Sequence, residues 1–387
     1  MIIFSSKTDV VISEDLTKDL RDILRRNGIK NAALIVDFNI SGHRDIKKTA
    51  AELRKDIRLH VQKVIPSEPT TDMVNKYTLL LRKKKIDMFI GIGGGSILDL
   101  TKALSVMVVN GGKVEDYHGT GKEFAAGTRK VMVPTTAGTG SEVTPGAVLV
   151  NKATKFKRAI SGRYISPDYA ILNAKLTLSM PDFVIASTGM DALGHAIESY
   201  TAKNSSVITR MFSRQAFSLV YNNLPKIFSD KSNIELRRKV LLGSCFAGFA
   251  IHNSNTGACH AMAYPLGIYN GIPHGVGVAK LLPKVVKINV EKGCYLYADL
   301  YDLMEGAKMP YRKEKKSMIF SELLERYRPL KHVVRGLSYY GVNEKNYIFL
   351  AESGLDLKSA LGNNPVDFSI SDSIRVLRET LREEGKL

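Results

Sequence analysis

Between residues 190 and 283 the sequence carries acid and imidazole side chains at spacings that can hold a metal ion. Asp191 and His195 are four residues apart in Met190-Asp191-Ala192-Leu193-Gly194-His195-Ala196-Ile197-Glu198-Ser199-Tyr200. This apolar stretch reads as helix, so both side chains project from one face. Two such groups on successive turns can share one ion, as the His pair does in helical zinc motifs. His260 and His274 are separated by a segment containing Pro265, Gly267, Gly271 and Pro273. That composition predicts a loop that folds back and brings both imidazoles to the same ion. One carboxylate and three imidazoles form a borderline nitrogen/oxygen set suited to Fe(II), Zn(II) or Co(II). The same spacings also arise where a histidine is satisfied inside a core, or where an Asp/His pair is only a helix contact. Spacing alone leaves both readings open.

A second chemistry is written earlier in the chain. Gly93-Gly94-Gly95-Ser96 lies between an apolar strand at 88–92 and a helix expected to start at Ile97. Backbone N–H groups are unpaired at such a junction, the helix dipole is positive there, and missing Cβ atoms let an anion approach. The dinucleotide fingerprint G-x-G-x-x-G is not completed, because Ser96 stands where its third glycine would be. A tight packing turn explains the glycines equally well. Asp37, at the end of an early strand, could accept hydrogen bonds from a ribose diol or could simply serve a turn. Pro134-Thr135-Thr136-Ala137-Gly138-Thr139-Gly140-Ser141-Glu142-Val143-Thr144 makes another polar, close-approach loop after a strand at 130–133. Two such loops at strand ends suggest a crevice along the carboxyl edge of a sheet.

The elements needed to position these groups can be read from periodicity. Ser13 is placed to cap a helix with Leu16, Leu20, Ile23 and Leu24 on one face, ended by Gly28. Strands are expected at 32–36, 60–65 and 88–92, and a helix between the last two carries Met73, Tyr77, Leu80 and Leu81 inward. Further strand pieces fall at 145–150, 157–160 and 169–172. This alternation predicts an α/β domain, Rossmann-like, with a parallel sheet covered on both faces. Past residue 178 helical periodicity takes over, near 206–222, 234–251, 275–290 and 371–384. The expected organisation is an α/β dinucleotide-binding domain over 1–178 and an all-helical metal-binding and catalytic domain over 179–387.

Composition narrows the function. With 44% hydrophobic and 24% charged residues, the 387-residue chain has the make-up of an ordinary globular protein long enough for two cores. No apolar run reaches the length of a membrane span, and residues 1–7 lack the sections of a signal peptide. Three cysteines, Cys245, Cys259 and Cys294, give no disulfide framework, so a cytoplasmic location is expected. The net charge of +18 admits nucleic acid, an anionic surface or an acidic substrate. The basic runs at 83–85 and 312–316 are short and not interleaved with aromatics, which argues for a solvated surface over a nucleic-acid groove.

Taken together, these segments resemble the iron-containing (group III) alcohol dehydrogenases of the dehydroquinate synthase-like superfamily. The resemblance rests on Gly93-Gly94-Gly95-Ser96 followed by Asp99 and Lys102, on residues 134–144, and on Gly189-Met190-Asp191-Ala192-Leu193-x-His195-Ala196-Ile197-Glu198. It continues through His260-Ala261-Met262-Ala263, Pro273-His274-Gly275 and Asn364-Pro365. It implies an α/β dinucleotide domain, an all-α domain, and an active site in the cleft between them. Asp191, His195, His260 and His274 would hold Fe(II) or Zn(II). Gly94, Gly95 and Ser96 would hold a pyrophosphate, with Asp99 in the same motif. Thr135, Thr136 and Thr139 would line the cofactor, with Lys157, Thr188, Gly189 and Met190 in reach. Asp37 would favour NAD over NADP, although the family's Asp more often stands one residue later.

Two further positions depart from the family pattern. Tyr264 replaces a His thought to move the proton, and Val278 replaces a common Asn after the last ligand. A phenol, with a reference pKa of ~10, is a poorer base at neutral pH. The implied activity is a metal-assisted hydride transfer between the nicotinamide and an alcohol or aldehyde, acidic or sugar-derived substrates included. Tyr264, His252 or a water chain would carry the proton. Relatives are commonly homodimers. Rival readings are a dehydroquinate-synthase-like lyase using NAD transiently, a metal-independent maleylacetate-type reductase (disfavoured by the complete Asp/His set), and a nucleic-acid-binding protein.

Overall fold

The computed structural model describes residues 4–307 and 309–385. By contacts they fall into two compact units, neither continuous in sequence. One comprises Ser6–Thr136 and Ser141–Ser179; the other comprises Ala137–Gly140 and the chain from Met180 onward, with the N-terminal piece that ends at Ser5.

The first unit runs β1 (Asp9–Ile12), α1 (Leu16–Arg26), β2 (Asn31–Asp37), α2 (Arg44–Asp56), β3 (Arg58–Val64), α3 (Thr71–Arg82), β4 (Met88–Gly93), α4 (Gly95–Met107), β5 (Arg129–Pro134), β6 (Gly146–Asn151), β7 (Phe156–Ser161) and β8 (Tyr169–Leu172). Six strands form a parallel sheet in the order β1-β8-β5-β4-β2-β3. Its middle strands are apolar at consecutive positions because both faces are covered. Alternate residues sort into two cores. Ala33, Ile35 and Phe89 pack with Val74, Leu81, Ile97 and Leu104 of α3 and α4. Leu34, Val36, Met88 and Ile90 pack with Leu20, Leu24, Ile46 and Leu53 of α1 and α2. The two-residue period of a strand therefore assigns one helix pair to each face.

The connection from β2 leads outward to β3, whereas that from β4 leads the other way to β5. Adjacent strands whose connections diverge open a crevice at their carboxyl ends. Asp37 and the glycine turn after β4 stand at those two ends.

Several expectations shift. α1 is capped by Asp15, whose carboxylate accepts from Lys18 N, not by Ser13. α4 begins at Gly95, two residues earlier than expected, with Gly94 as its N-cap. On α3 Leu81 is buried and Met73 and Tyr77 pack against the core, but Val74 and Thr78 are buried with them and Leu80 is exposed. Residues 146–151 and 156–161 pair with each other as a separate antiparallel hairpin. β1 was not anticipated: it is a short edge strand with little burial, so no apolar alternation announces it.

The second unit is helical: α5 (Asp182–Thr201), α6 (Val207–Ile227), α7 (Ile234–Ser254), α8 (Ala258–Asn270), α9 (His274–Glu291), α10 (Tyr297–Tyr301), α11 (Lys313–Glu325), α12 (Tyr347–Gly354), α13 (Lys358–Leu361) and α14 (Ile370–Glu383). α5 packs against α6, α7 and α9, and α8 lies along α9. Every residue of α5 from Gly189 to Thr201 is buried. A helix enclosed all round belongs to a core, so the acids and imidazole it carries must find partners inside. The segment between His260 and His274 is mostly helix rather than loop. Pro265 sits within α8, removing one backbone bond without ending it. The reversal is made by Gly271, in the left-handed conformation that ends α8, and by Pro273, which caps α9.

Candidate metal and cofactor sites

Three helices of the second unit deliver the Asp/His set. Asp191 and His195 lie one turn apart on α5, His260 is the third residue of α8, and His274 is the first residue of α9. Asp191, His195 and His260 are buried, and their nearest ligand atoms all lie within 4.8 Å of one another. Asp191 Oδ1 is 3.4 Å from His260 Nε2, 3.6 Å from His274 Nε2 and 3.9 Å from His195 Nε2. The His195 and His260 rings stack with centroids 4.5 Å apart.

Asp191 Oδ1 and His260 Nε2 face each other without the geometry of a hydrogen bond, and neither has a hydrogen-bond partner elsewhere. Two orphaned polar atoms in a dry core are costly unless something bridges them. A divalent ion would do so, and one carboxylate with three imidazoles suits it. The residues present therefore fit a metal. Electrostatics agrees: against the burial penalty, the His195, His274 and His260 imidazoles hold the Asp191 carboxyl well below the usual range. Burial in turn pushes the His195 imidazole down, toward the neutral form a ligand needs.

Each imidazole is aimed by its other nitrogen. His195 Nδ1 is 3.2 Å from the Gly138 carbonyl, which can only accept, so the proton sits on Nδ1 and Nε2 keeps its lone pair. His260 Nδ1 meets the Glu198 carboxylate in a short hydrogen bond. The same carboxylate accepts from Gly257 N at 3.0 Å and Cys259 N at 2.7 Å. Burial works against it, but the neighbouring Glu198 and Asp191 carboxylates hold the His260 imidazole up to about 9, so in the metal-free protein Nε2 carries a proton that a bound ion would displace. The sequence reading had assigned Glu198 no role. The signal was available, since Glu198 follows Asp191 by two turns of one helix and so shares its face.

Tyr264, one turn beyond His260, sets its ring edge-on to His274 with centroids 5.7 Å apart. His252 lies in the last turn of α7, partly buried. Val278 is fully buried in α9. It packs against α5, where a Cβ at Gly194 would meet Val278 Cγ1.

In the α/β unit the glycine turn forms the exposed N-terminus of a thirteen-residue helix, α4, with Gly94, Gly95 and Ser96 all partly accessible. The first-turn amides of such a helix have no intrahelical partner. Thr136 lies beside Gly94, where an added Cβ would be 3.3 Å from its Oγ1. Thr135 is buried, with its amide on the Gly93 carbonyl at 3.0 Å. Asp37 is half-buried; burial raises its carboxyl, and Oδ1 accepts from Asn39 N at 2.8 Å. Lys157 is buried and pairs with Glu68. Thr139 is partly exposed but belongs to the four-residue piece that joins the helical unit. Thr188, on α5, is partly exposed and gives its hydroxyl proton to the Val184 carbonyl at 2.8 Å.

Three of the residues expected at the cofactor are engaged within the protein. Gly189 faces Leu224 of α6, whose side chain fills the place a Cβ would need, and Met190 is fully buried. On a helix, neighbours of Asp191 in sequence point elsewhere, about 100° per residue away. Asp99 spends its carboxylate inside the protein: Oδ1 accepts from Ser141 Oγ at 2.5 Å and pairs with Lys102 at 3.0 Å, and Oδ2 accepts from Val148 N at 2.9 Å. It holds the polar loop.

Comparison with known proteins gives the same picture. Residues 7–174 match the family described as "Iron-containing alcohol dehydrogenase", and residues 185–381 match "Fe-containing alcohol dehydrogenase family, C-terminal". The chain is 32% identical over 360 residues to long-chain-alcohol dehydrogenase 1 of Geobacillus thermodenitrificans, covering 92% of this chain and 90% of that one. It is similar in structure to a 1,3-propanediol oxidoreductase, with TM-score 0.92, 28% identity and coverage of 98% and 100%. It is also similar to the sulfoacetaldehyde reductase of Bifidobacterium kashiwanohense in complex with NAD+, with TM-score 0.85, 25% identity and coverage of 98% and 99%.

Proposed function

Since the chain belongs to the iron-containing alcohol dehydrogenase family, we propose that it is an NAD-dependent oxidoreductase interconverting an alcohol and an aldehyde with the help of Fe(II) or Zn(II). The observation that carries this reading is the convergence of Asp191 with the imidazoles of His195, His260 and His274 from three helices in a buried site. The relatives named above are all dehydrogenases or reductases, which leaves the lyase alternative without a supporting observation.

A bound divalent ion supplies Lewis-acid polarisation of the substrate oxygen, and NAD supplies or receives the hydride. The chain's own residues do the rest. Asp191 brings the one negative charge, and Gly138 and Glu198 fix the tautomers of His195 and His260 so that both Nε2 atoms face inward. The enclosure of α5 keeps bulk water from these groups. Tyr264, beside His274, is placed to carry the proton, with His252 as a second carrier. The amides of Gly94, Gly95 and Ser96 receive the pyrophosphate, and Thr135, Thr136, Thr139, Thr188 and Lys157 complete the surroundings of the cofactor. Asp37 accepts from the ribose diol and repels the extra phosphate of NADP. In this reading residues 1–178 bind the dinucleotide and 179–387 carry the metal and the chemistry.

The net charge of +18 favours an anionic aldehyde, as does the likeness to a reductase of sulfoacetaldehyde. We place the enzyme in the cytoplasm as a homodimer acting on small molecules, not on nucleic acid or membranes. Among the described residues no helix is long and apolar enough to cross a membrane, and no disulfide joins Cys245, Cys259 and Cys294.

The test is nicotinamide absorbance on Fe(II)-loaded protein, with NADH and NADPH run separately against neutral and anionic aldehydes. The expected result is aldehyde-dependent NADH oxidation, fastest with an anionic aldehyde and abolished by chelation. No turnover, with metal and NADH both demonstrably bound, would refute the assignment.

A further inference from the structure

We infer that Glu198 is a positioning residue that fixes the tautomer and seat of His260 and thereby sets the affinity of the metal site. The inference rests on the metal reading above and deepens it. α8 follows a glycine N-cap, Gly257, that offers no side-chain cap. The amides of the cap and of the first two helical residues are satisfied from elsewhere: Gly257 N and Cys259 N by the Glu198 carboxylate, and Ala258 N by Asn364 Oδ1 at 3.3 Å. Asn364 is itself held by Asn289 Oδ1 and the Val366 carbonyl, each at 2.9 Å. This gives a structural task to the Asn364-Pro365 motif. A carboxylate at a helix N-terminus also meets the positive end of the dipole.

The chemistry around Glu198 is one-sided. Gly257 N, Cys259 N and His260 Nδ1 all converge on it, and the two amides can only donate. An acceptor facing His260 Nδ1 commits that nitrogen to donating, which leaves Nε2, 3.4 Å from Asp191 Oδ1, as the nitrogen open to an ion. α5 thus contributes twice. It brings two ligands directly, and through Glu198 it anchors the start of the helix that brings a third. Gly257 is part of the device, because a Cβ there would come within 2.9 Å of Glu198 Oε1.

Glu198→Gln keeps the shape but replaces one acceptor oxygen with a donor, so one of the three N–H groups must lose its partner. Asn364→Ala removes the acceptor of Ala258 and leaves the carboxylate on His260. Metal-free wild type and both variants are titrated with Co(II) against a competing chelator, following Co(II) absorption, with thermal midpoints recorded on the metal-free proteins. The expected result is a loss of about 10- to 100-fold in affinity and an altered Co(II) spectrum for Glu198→Gln. Asn364→Ala should lower the thermal midpoint with affinity and spectrum close to wild type. Equal affinity in wild type and Glu198→Gln overturns the inference, as do equal losses in the two variants. If Glu198→Gln does not fold, Glu198→Asp, whose shorter carboxylate withdraws from His260, is judged by the same comparison. Failure of the wild type itself to bind Co(II) would overturn the metal reading instead.

Discussion

Gly194 stands on α5 between the two ligands that helix supplies, and its replacement by Ala tests how tightly the centre is packed. A Cβ at this position would lie 2.7 Å from Val278 Cγ1, 3.3 Å from His260 Cε1 and 3.8 Å from Leu282 Cδ2. Carbon atoms pack at about 3.5–4.0 Å, so Val278 would have to retreat by roughly 1 Å. It is fully buried, so any retreat must displace neighbouring core atoms. Overpacking of this kind costs about 1–3 kcal/mol. The helix preference of Ala over Gly returns about 0.5–1 kcal/mol, so the net effect remains destabilising. At about 2–4 °C per kcal/mol for a unit of this size, the thermal midpoint should fall by a few degrees.

Because His260 is also pressed, Co(II) affinity should fall with it. Val278→Ala removes the offending carbon at a cost of its own, on the order of 1–2 kcal/mol. In the double variant the two costs should not add; a coupling of about 0.5–3 kcal/mol is expected in a thermal-unfolding cycle over the four proteins. A Gly194→Ala protein as stable as wild type, or a double variant showing simple additivity, would refute the steric argument.

Three further outcomes follow from other parts of the molecule. Glu142 is buried with Oε1 unpartnered, and burial pushes its carboxyl up to about 7. A raised folded-state value means that stability present below the unfolded value of about 4.3 is lost as pH rises through about 7. Glu142→Gln should therefore raise the thermal midpoint at pH ~8 and leave it unchanged near pH ~4; equal shifts at both would contradict the burial argument. Lys102 is buried, with Nζ on Asp99 at 3.0 Å and on the Ser141 carbonyl at 2.9 Å. Lys102→Met removes the cation from Asp99, which keeps its bonds from Ser141 Oγ and Val148 N, so the cost should fall below the ~3–5 kcal/mol of an uncompensated buried charge; it should weaken NAD binding by loosening residues 141–148. Calorimetry showing unchanged NAD affinity would separate that clamp from the cofactor. Tyr264→Phe should lower kcat by on the order of 10²-fold if the phenol carries the proton, with Co(II) affinity retained; an unchanged kcat would assign the proton to another carrier.

What could be read from the sequence followed the range of each signal. The buried strands β2, β4 and β5 are apolar at consecutive positions, and the Asp/His set was visible because helical spacing is local. Adjacency in sequence is a weaker guide to adjacency in space. Gly189 and Met190 precede Asp191 in the motif, yet helical rotation turns them toward α6 and the core. Pro265 suggested a loop, but a single missing bond did not outweigh the burial of α8. The partners of Glu198 lie 59 to 62 residues away in sequence. Their meeting depends on how α8 packs, which no local pattern encodes. β1 went unnoticed for the opposite reason: a short edge strand buries too little to leave a pattern.

Residues 137–140 leave the α/β unit for the helical one and return, and Gly138 lends its carbonyl to His195 while it is there. The consequence is felt in protein engineering. A cut at residue 179, where the periodicity changes, would give a helical fragment without the carbonyl that orients one of its own imidazoles. Exchanging catalytic halves between relatives would therefore require transplanting this four-residue splice with the helices. The fragment alone would carry Asp191, His195, His260 and His274 and still leave His195 Nδ1 without its acceptor.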